Sequence, residues 1–230
     1  MSHFSVAVFT EPGQLDVDAL LEPFWEGIEF PRYVDETKAE LIARGREEAG
    51  NVEISDDEAY RVATKYYDAE NLDPITGDHY TTYNPNSKWD WYEVGGRWSD
   101  MLFAKDDMYR HDSLAVSNIN FDLMREYELE GLTPYQEYIN GDHFYKKEYL
   151  LSRYPNEETY IKKMTEFSTF AVLTPDGQWH EKGEMGWFGC SSETSDEDTA
   201  WCDGYYGPYL LGKLTNRCSA VGISPQPVGN

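Results

Sequence analysis

Between Ser168 and Glu181 the chain reads STFAVLTPDGQWHE, two short runs of alternating apolar and polar residues around Pro175-Asp176-Gly177. Pro and Gly at these places preset a reversal, and the flanking period of two is that of half-buried strands, so the segment is expected to be a β-hairpin. Its position in the chain constrains the rest. A first strand is expected at His3–Phe9 (HFSVAVF), closed by Glu-Pro-Gly. Nearly everything between it and the hairpin carries helical spacing or turn residues instead. Strand, helices, strand, helices, hairpin and helix in that order exclude a repeating βαβ fold. The expectation is an α+β fold, a single domain over residues 1–230, with a mixed or mainly antiparallel sheet packed with several helices. No Gly-, Ser- or Pro-rich linker divides the chain, and no internal repeat is present.

The helices announce themselves by their caps. Asp16 or Asp18 can open a short helix that Pro23 stops or kinks. YVDETKAELIARGREEAG has the composition of a charged, solvent-facing helix. Ser55 with Glu58 three residues on forms a capping-box pattern, with Val62, Tyr66 and Ala69 as the inner stripe. Asn120 or Asp122 can start the next helix. Thr133-Pro134 opens TPYQEYINGDHFYKKEYLLSRY, NEETYIKKMTEF follows, and Ser195 or Asp196 caps a last helix with Trp201, Tyr205 and Leu210. The tail, CSAVGISPQPVGN, offers one more short strand.

Charge narrows the function classes. The chain has 230 residues with 19 basic and 43 acidic side chains, a net charge of −24. Such a field repels phosphate backbones, so direct nucleic-acid binding is not expected. It leaves two readings, a solubilising surface or an acidic face that docks on a basic protein in place of nucleic acid. Asp35–Glu58, with nine acids against three bases, and Glu193–Asp203, with five acids and no base, are the two such stretches. A small anion can still bind where Lys or Arg cluster locally. Cys190, Cys202 and Cys218 make no CxxC pair and leave an odd thiol, which points to a reducing cytoplasm. No apolar run approaches a membrane span, and the N-terminus lacks a basic signal-peptide region, so a cytoplasmic protein is expected.

The usual signatures of catalysis are missing: there is no GxxxxGK[ST], GxSxG, GxGxxG after a strand, or HExxH. The five histidines pair with no Cys or carboxylate at ligand spacing, so neither a metal site nor a cofactor is expected; Asp73, Asp78 and His79 resemble an ordinary surface loop. Three clusters remain. Asn84–Trp98, NPNSKWDWYEVGGRW, carries three tryptophans beside Lys88 and Arg97. If KWDWYEV is a strand, Trp89, Trp91 and Glu93 face one way and Asp90, Tyr92 and Val94 the other. The block is then either a core plug with a Gly95-Gly96 turn or a pocket wall. In the second case Trp89, Trp91 and Trp98 stack a flat heterocycle while Lys88 and Arg97 neutralise its anionic group. The second cluster is QWHEKGEMGWFG, either a solvent-facing hairpin with Trp179 and Trp187 beneath it or a site where His180 and Glu184 form an acid–base pair. The third is LLEPFWE, with Glu22 and Glu26 flanking Phe24 and Trp25.

Taken in order, HFSVAVF with LLEPFWE, the KWDWYEVGGRW block, NINFDLM and the GEMGWFG hairpin resemble a family of uncharacterised proteins carried by bacteriophages and mobile elements. The resemblance spans most of the chain. It departs at the C-terminus, where CSAVGISPQPVGN stands in place of an acidic, histidine-containing strand. It implies an accessory protein that acts in the host bacterial cytoplasm against a defence system, and it assigns no catalytic residue. Two functions fit. One is sequestration of a nucleotide-like signal by Lys88, Trp89, Trp91, Arg97 and Trp98, or docking on a host defence protein through the acidic surface. The other is hydrolysis of a nucleotide signal, with Asp90, Glu93, His180 and Glu184 supplying acid and base and Arg97 on the phosphate.

Overall fold

The structure, a computed structural model, describes residues 4–11, 16–50, 53–184, 191–206 and 219–223. Its elements in chain order are β1 (Val6–Thr10), α1 (Val17–Leu21), β2 (Tyr33–Glu36), α2 (Lys38–Glu48), α3 (Asp56–Ala63) and β3 (His79–Thr81). There follow β4 (Leu102–Phe103), β5 (Arg110–His111), β6 (Ser113–Ala115), α4 (Phe121–Gly131), α5 (Tyr135–Asn140), α6 (Lys147–Arg153) and α7 (Glu157–Thr165). The last are β7 (Ala171–Leu173), β8 (Trp179–Glu181), α8 (Ser195–Ala200) and β9 (Ser219–Ile223). The fold is α+β, and the chain divides into two compact units: Met1–Pro23 with Lys88–Asn230, and Phe24–Ser87.

The larger unit is built on a five-stranded sheet in the order β6-β9-β1-β7-β8. β1 lies in the middle and is buried along its whole length, which is why VAVFT reads as an apolar run. It runs parallel to β7, with Ala7 opposite Val172, and antiparallel to β9. The sheet is therefore mixed. Ala7, Phe9 and Val172 face a core completed by Leu102, Ile119, Met124 and Trp201. Each such side chain removed from water contributes about 1.5–3 kcal/mol before entropy is counted. A second cluster joins Tyr135, Ile139, Leu150, Tyr154 and Tyr160 across α5, α6 and α7. The hairpin forms as expected: Leu173 pairs with Trp179, Gly177 takes φ +78°, and its N–H reaches the Thr174 carbonyl at 2.8 Å. The tail supplies β9, as its sequence suggests.

The smaller unit packs α2 on α3 beside the β2–β3 pair. Gly45 makes the helix crossing possible, because a Cβ there would collide with the Ala59 carbonyl oxygen. Ala59 and Ala63 form the buried stripe of α3, whereas Tyr66 and Ala69 are exposed and lie beyond the helix end. The expected stripe was displaced because small residues, not large ones, permit this close approach. YVDETKAELIARGREEAG also splits: its first residues pair as β2, and Thr37 then caps α2 through a reciprocal capping box with Glu40.

Three further expectations are corrected. KWDWYEV forms no regular strand: Trp89 packs edge-on against Tyr92 at 5.1 Å, is buried, and does not share a face with the half-exposed Trp91. The long helical stretch after Pro134 breaks at Gly141 into α5 and α6. The cap of α8 is Thr194, with a capping box to Glu197, one residue before Ser195. His3, Cys190, Trp187 and the rest of the GEMGWFG segment at 185–190, together with Leu210 and Cys218, lie outside the described residues; of Tyr205 only the backbone is described. Among the described residues no helix is long and apolar enough to cross a membrane.

Candidate functional site

The larger unit holds a cavity of about 640 Å³, within the size range of small-molecule sites. Helix periodicity explains who lines it. Glu158, Lys162 and Glu166 recur every fourth residue along one face of α7 and its C-cap, with Thr159 and Lys163 beside them. Asp198, Thr199, Cys202 and Asp203 do the same on α8 and the π-helical turn Trp201–Tyr206 that continues it. Phe4 and Phe170, just ahead of the parallel strands β1 and β7, form an aromatic wall with Tyr154 and Trp98. Arg153 and Lys182 complete the cationic side.

The centre of the wall is Asp198, which is buried. Its carboxylate takes a 2.9 Å hydrogen bond from Lys182 and lies 3.5 Å from Arg153 and 3.8 Å from Lys163. Lys182 also contacts Glu193 at 3.3 Å, and Lys163 donates to Ser195 at 3.1 Å. Burial acts to raise the Asp198 pKa, but the Lys182 hydrogen bond and the three cations outweigh it and hold the carboxyl below its ordinary value. Burial likewise acts to lower the Lys182 pKa and is outweighed by Asp198 and Glu193, so its ammonium is held above its ordinary value. Both groups are thus ionised at neutral pH. Glu166 differs: burial pushes its carboxyl up, with Lys162 opposing and Asp203 and Asp198 adding. Burial also raises the Cys202 thiol, so this cysteine is no thiolate nucleophile.

Four of the chain's 19 basic residues, Arg153, Lys162, Lys163 and Lys182, line this one cavity, against four acids in its wall. In a molecule of net charge −24 the cavity is locally balanced, and there an anion escapes the overall repulsion.

Of the five expected ligand-binding residues, Trp98 lines this cavity. Lys88 is neutralised by Glu181 at 2.7 Å, and Glu181 also accepts the Trp179 indole N–H at 2.8 Å. Trp89 donates its indole N–H to the Leu21 carbonyl at 3.2 Å, satisfying the end of α1. Trp91 is half exposed and Arg97 is exposed on the turn Gly96–Trp98. That turn is held by Asp112, whose carboxylate fills the space where Gly95 has no Cβ and accepts the Asp100 N–H at 2.6 Å. The block is therefore partly core plug and partly pocket wall. Of the acid–base set, Asp90 is half-buried, Glu93 is exposed, and His180 sits within β8 opposite Val172. Glu184 is exposed, its backbone paired with Ser192. None of the four lines the cavity.

In the smaller unit, Asp35, Glu36 and His79 bring ligand atoms within 4.8 Å of one another. Glu36, however, is clasped by Arg44 at 2.9 and 3.1 Å and by the Tyr67 hydroxyl at 2.6 Å. The guanidinium already supplies the positive charge a metal would bring, and burial together with Glu36 pushes the Tyr67 phenol up to about 12. Asp73 and Asp78 accept backbone N–H groups of Ile75, Thr76 and Lys38 and serve turn and helix geometry.

Arg153, Lys163, Lys182 and Asp198 were not singled out from sequence. The available signal was the Lys162-Lys163 pair on a helix with acids one turn to either side, a local excess of base in an acidic chain. The chain matches no protein-family model, and comparison with curated proteins and with solved structures gives no significant match.

Proposed function

We propose that this chain is a binding protein for a small anionic, planar molecule of nucleotide type, held in the cavity between α7 and α8. The observation that carries the reading is the gathering of Arg153, Lys162, Lys163 and Lys182 with Trp98, Phe4 and Phe170 around about 640 Å³. Lys163 and Arg153 meet the phosphate, and the aromatic wall packs against the nucleoside it carries. Their long contacts to Asp198 leave donors to spare for a ligand. The ordered motif resemblance to phage and mobile-element proteins supports a role in which such a signal is withdrawn from a host defence system in the bacterial cytoplasm.

The test is thermal melting and tryptophan fluorescence of the full chain against mono-, di- and cyclic nucleotides, followed by chromatography of the recovered ligand. A stabilising ligand recovered unchanged is the expected result, with affinity about tenfold weaker in Lys163→Ala, the loss of one charge-assisted hydrogen bond. A recovered product of hydrolysis would replace sequestration with catalysis, and the desolvated Glu166 would then be the first acid to substitute. No response to any nucleotide would move the function to an acidic surface and a protein partner.

A further inference from the structure

We infer that a second cavity, around Arg110, is a nucleobase subsite that selects a keto-amino purine of the guanine type; this rests on the anion-binding reading above. The second cavity measures about 250 Å³ and shares Glu166 and Ser168 with the first, so the segment after α7 is a common wall. Arg110, from β5, lies 4.1 Å from the centre of the Tyr127 ring and 4.8 Å from that of Phe103. Arg110 is exposed, the two rings pack against its guanidinium, and among the described residues no hydrogen bond or ion pair engages it. Met124, Met164 and Phe167 supply apolar surface for a flat ring, and Asp100, Glu128 and Glu166 bring carboxylates to the same wall.

That combination of an unengaged arginine with carboxylates and apolar walls has a specific complement. Guanine presents two adjacent acceptors, O6 and N7, to an arginine fork, and its N1–H and N2 amine to a carboxylate. Adenine presents an amine where the arginine needs an acceptor and a bare N1 where the carboxylate needs a donor. Guanine pairs with both the fork and a carboxylate, and adenine forfeits both pairs. The three carboxylates also disfavour a phosphate here, which assigns the phosphate to the lysine-rich first cavity and the base to the second.

The experiment is calorimetric titration of the full chain with GMP, IMP, AMP and ribose 5-phosphate. GMP is expected to bind at least about tenfold more tightly than AMP, with IMP between them for want of the N2 amine. Arg110→Met, which keeps the apolar stack and removes the donors, should bring GMP down to the AMP level and leave AMP and ribose 5-phosphate unchanged. Arg110→Gln serves as a second variant, and a melting curve confirms that each is folded. Lys163→Met should weaken all four alike. Equal affinity for GMP and AMP in the unmodified protein, or a GMP preference that survives both Arg110 substitutions, overturns the base subsite and leaves phosphate binding standing. Failure of all four to bind, ribose 5-phosphate included, overturns both.

Discussion

Asp198 and Glu166 face one cavity with opposite electrostatic histories. Asp198 has a folded pKa below its unfolded value, so it stabilises the fold above about pH 4 and loses that contribution as pH falls through the folded pKa. Glu166 has a folded pKa above its unfolded value; its contribution is present at low pH and lost as pH rises through the folded pKa. Asp198→Asn should therefore cost roughly 3 kcal/mol at pH 7 by leaving three cations facing a neutral amide, and should flatten the acid limb of stability. Glu166→Gln should raise the melting temperature at pH 7 and lose this advantage below about pH 4. Melting curves from pH 3 to 8 check both, and a Glu166→Gln protein less stable than the parent at neutral pH would contradict the second. Arg97→Ala, which the sequence alone would make the decisive variant, should change nucleotide affinity less than twofold, since its side chain stands outside the cavity.

α8 depends on its first turn. Thr194 and Glu197 satisfy each other's backbone N–H groups, and Asp198 is the next residue, so the cap also positions the carboxylate at the centre of the cavity. Thr194→Ala should cost about 1 kcal/mol of stability and also weaken ligand binding, a pairing that urea unfolding and titration can separate. The α2–α3 crossing is set by space instead. Gly45→Ala should destabilise by about 2 kcal/mol, measured by urea denaturation, because the new methyl meets backbone that cannot rotate away.

At the scale of the whole molecule the charge sets two opposing salt responses. Self-repulsion at −24 weakens the compact state, so moderate salt should raise the melting temperature of the free protein. Salt should at the same time weaken anion binding, because the cavity's attraction is itself electrostatic. Melting curves with and without a saturating nucleotide should converge as salt rises. A ligand-induced shift that does not diminish with salt would count against the lysines as its cause.

What was legible in the sequence is what short-range physics dictates. The hairpin at Pro175-Asp176-Gly177, a first strand at His3–Phe9 (found at Val6–Thr10), caps at Asp16 and Asn120, each one of two candidates, and the α+β class follow from turn chemistry, periodicity and capping. The site did not follow. The Trp-rich block reads from sequence as a strand that is either core plug or pocket wall, and the structure divides it: Trp89 turns inward to satisfy the carbonyl at Leu21, Lys88 is neutralised by Glu181, and of its five candidate ligand-binding residues Trp98 reaches the cavity. Arg153, Lys182 and Asp198 come from three separate segments, and no local pattern joins them. Their meeting depends on β1 and β7 running parallel and β8 closing back beside them, a long-range pairing whose free energy belongs to the folded chain as a whole.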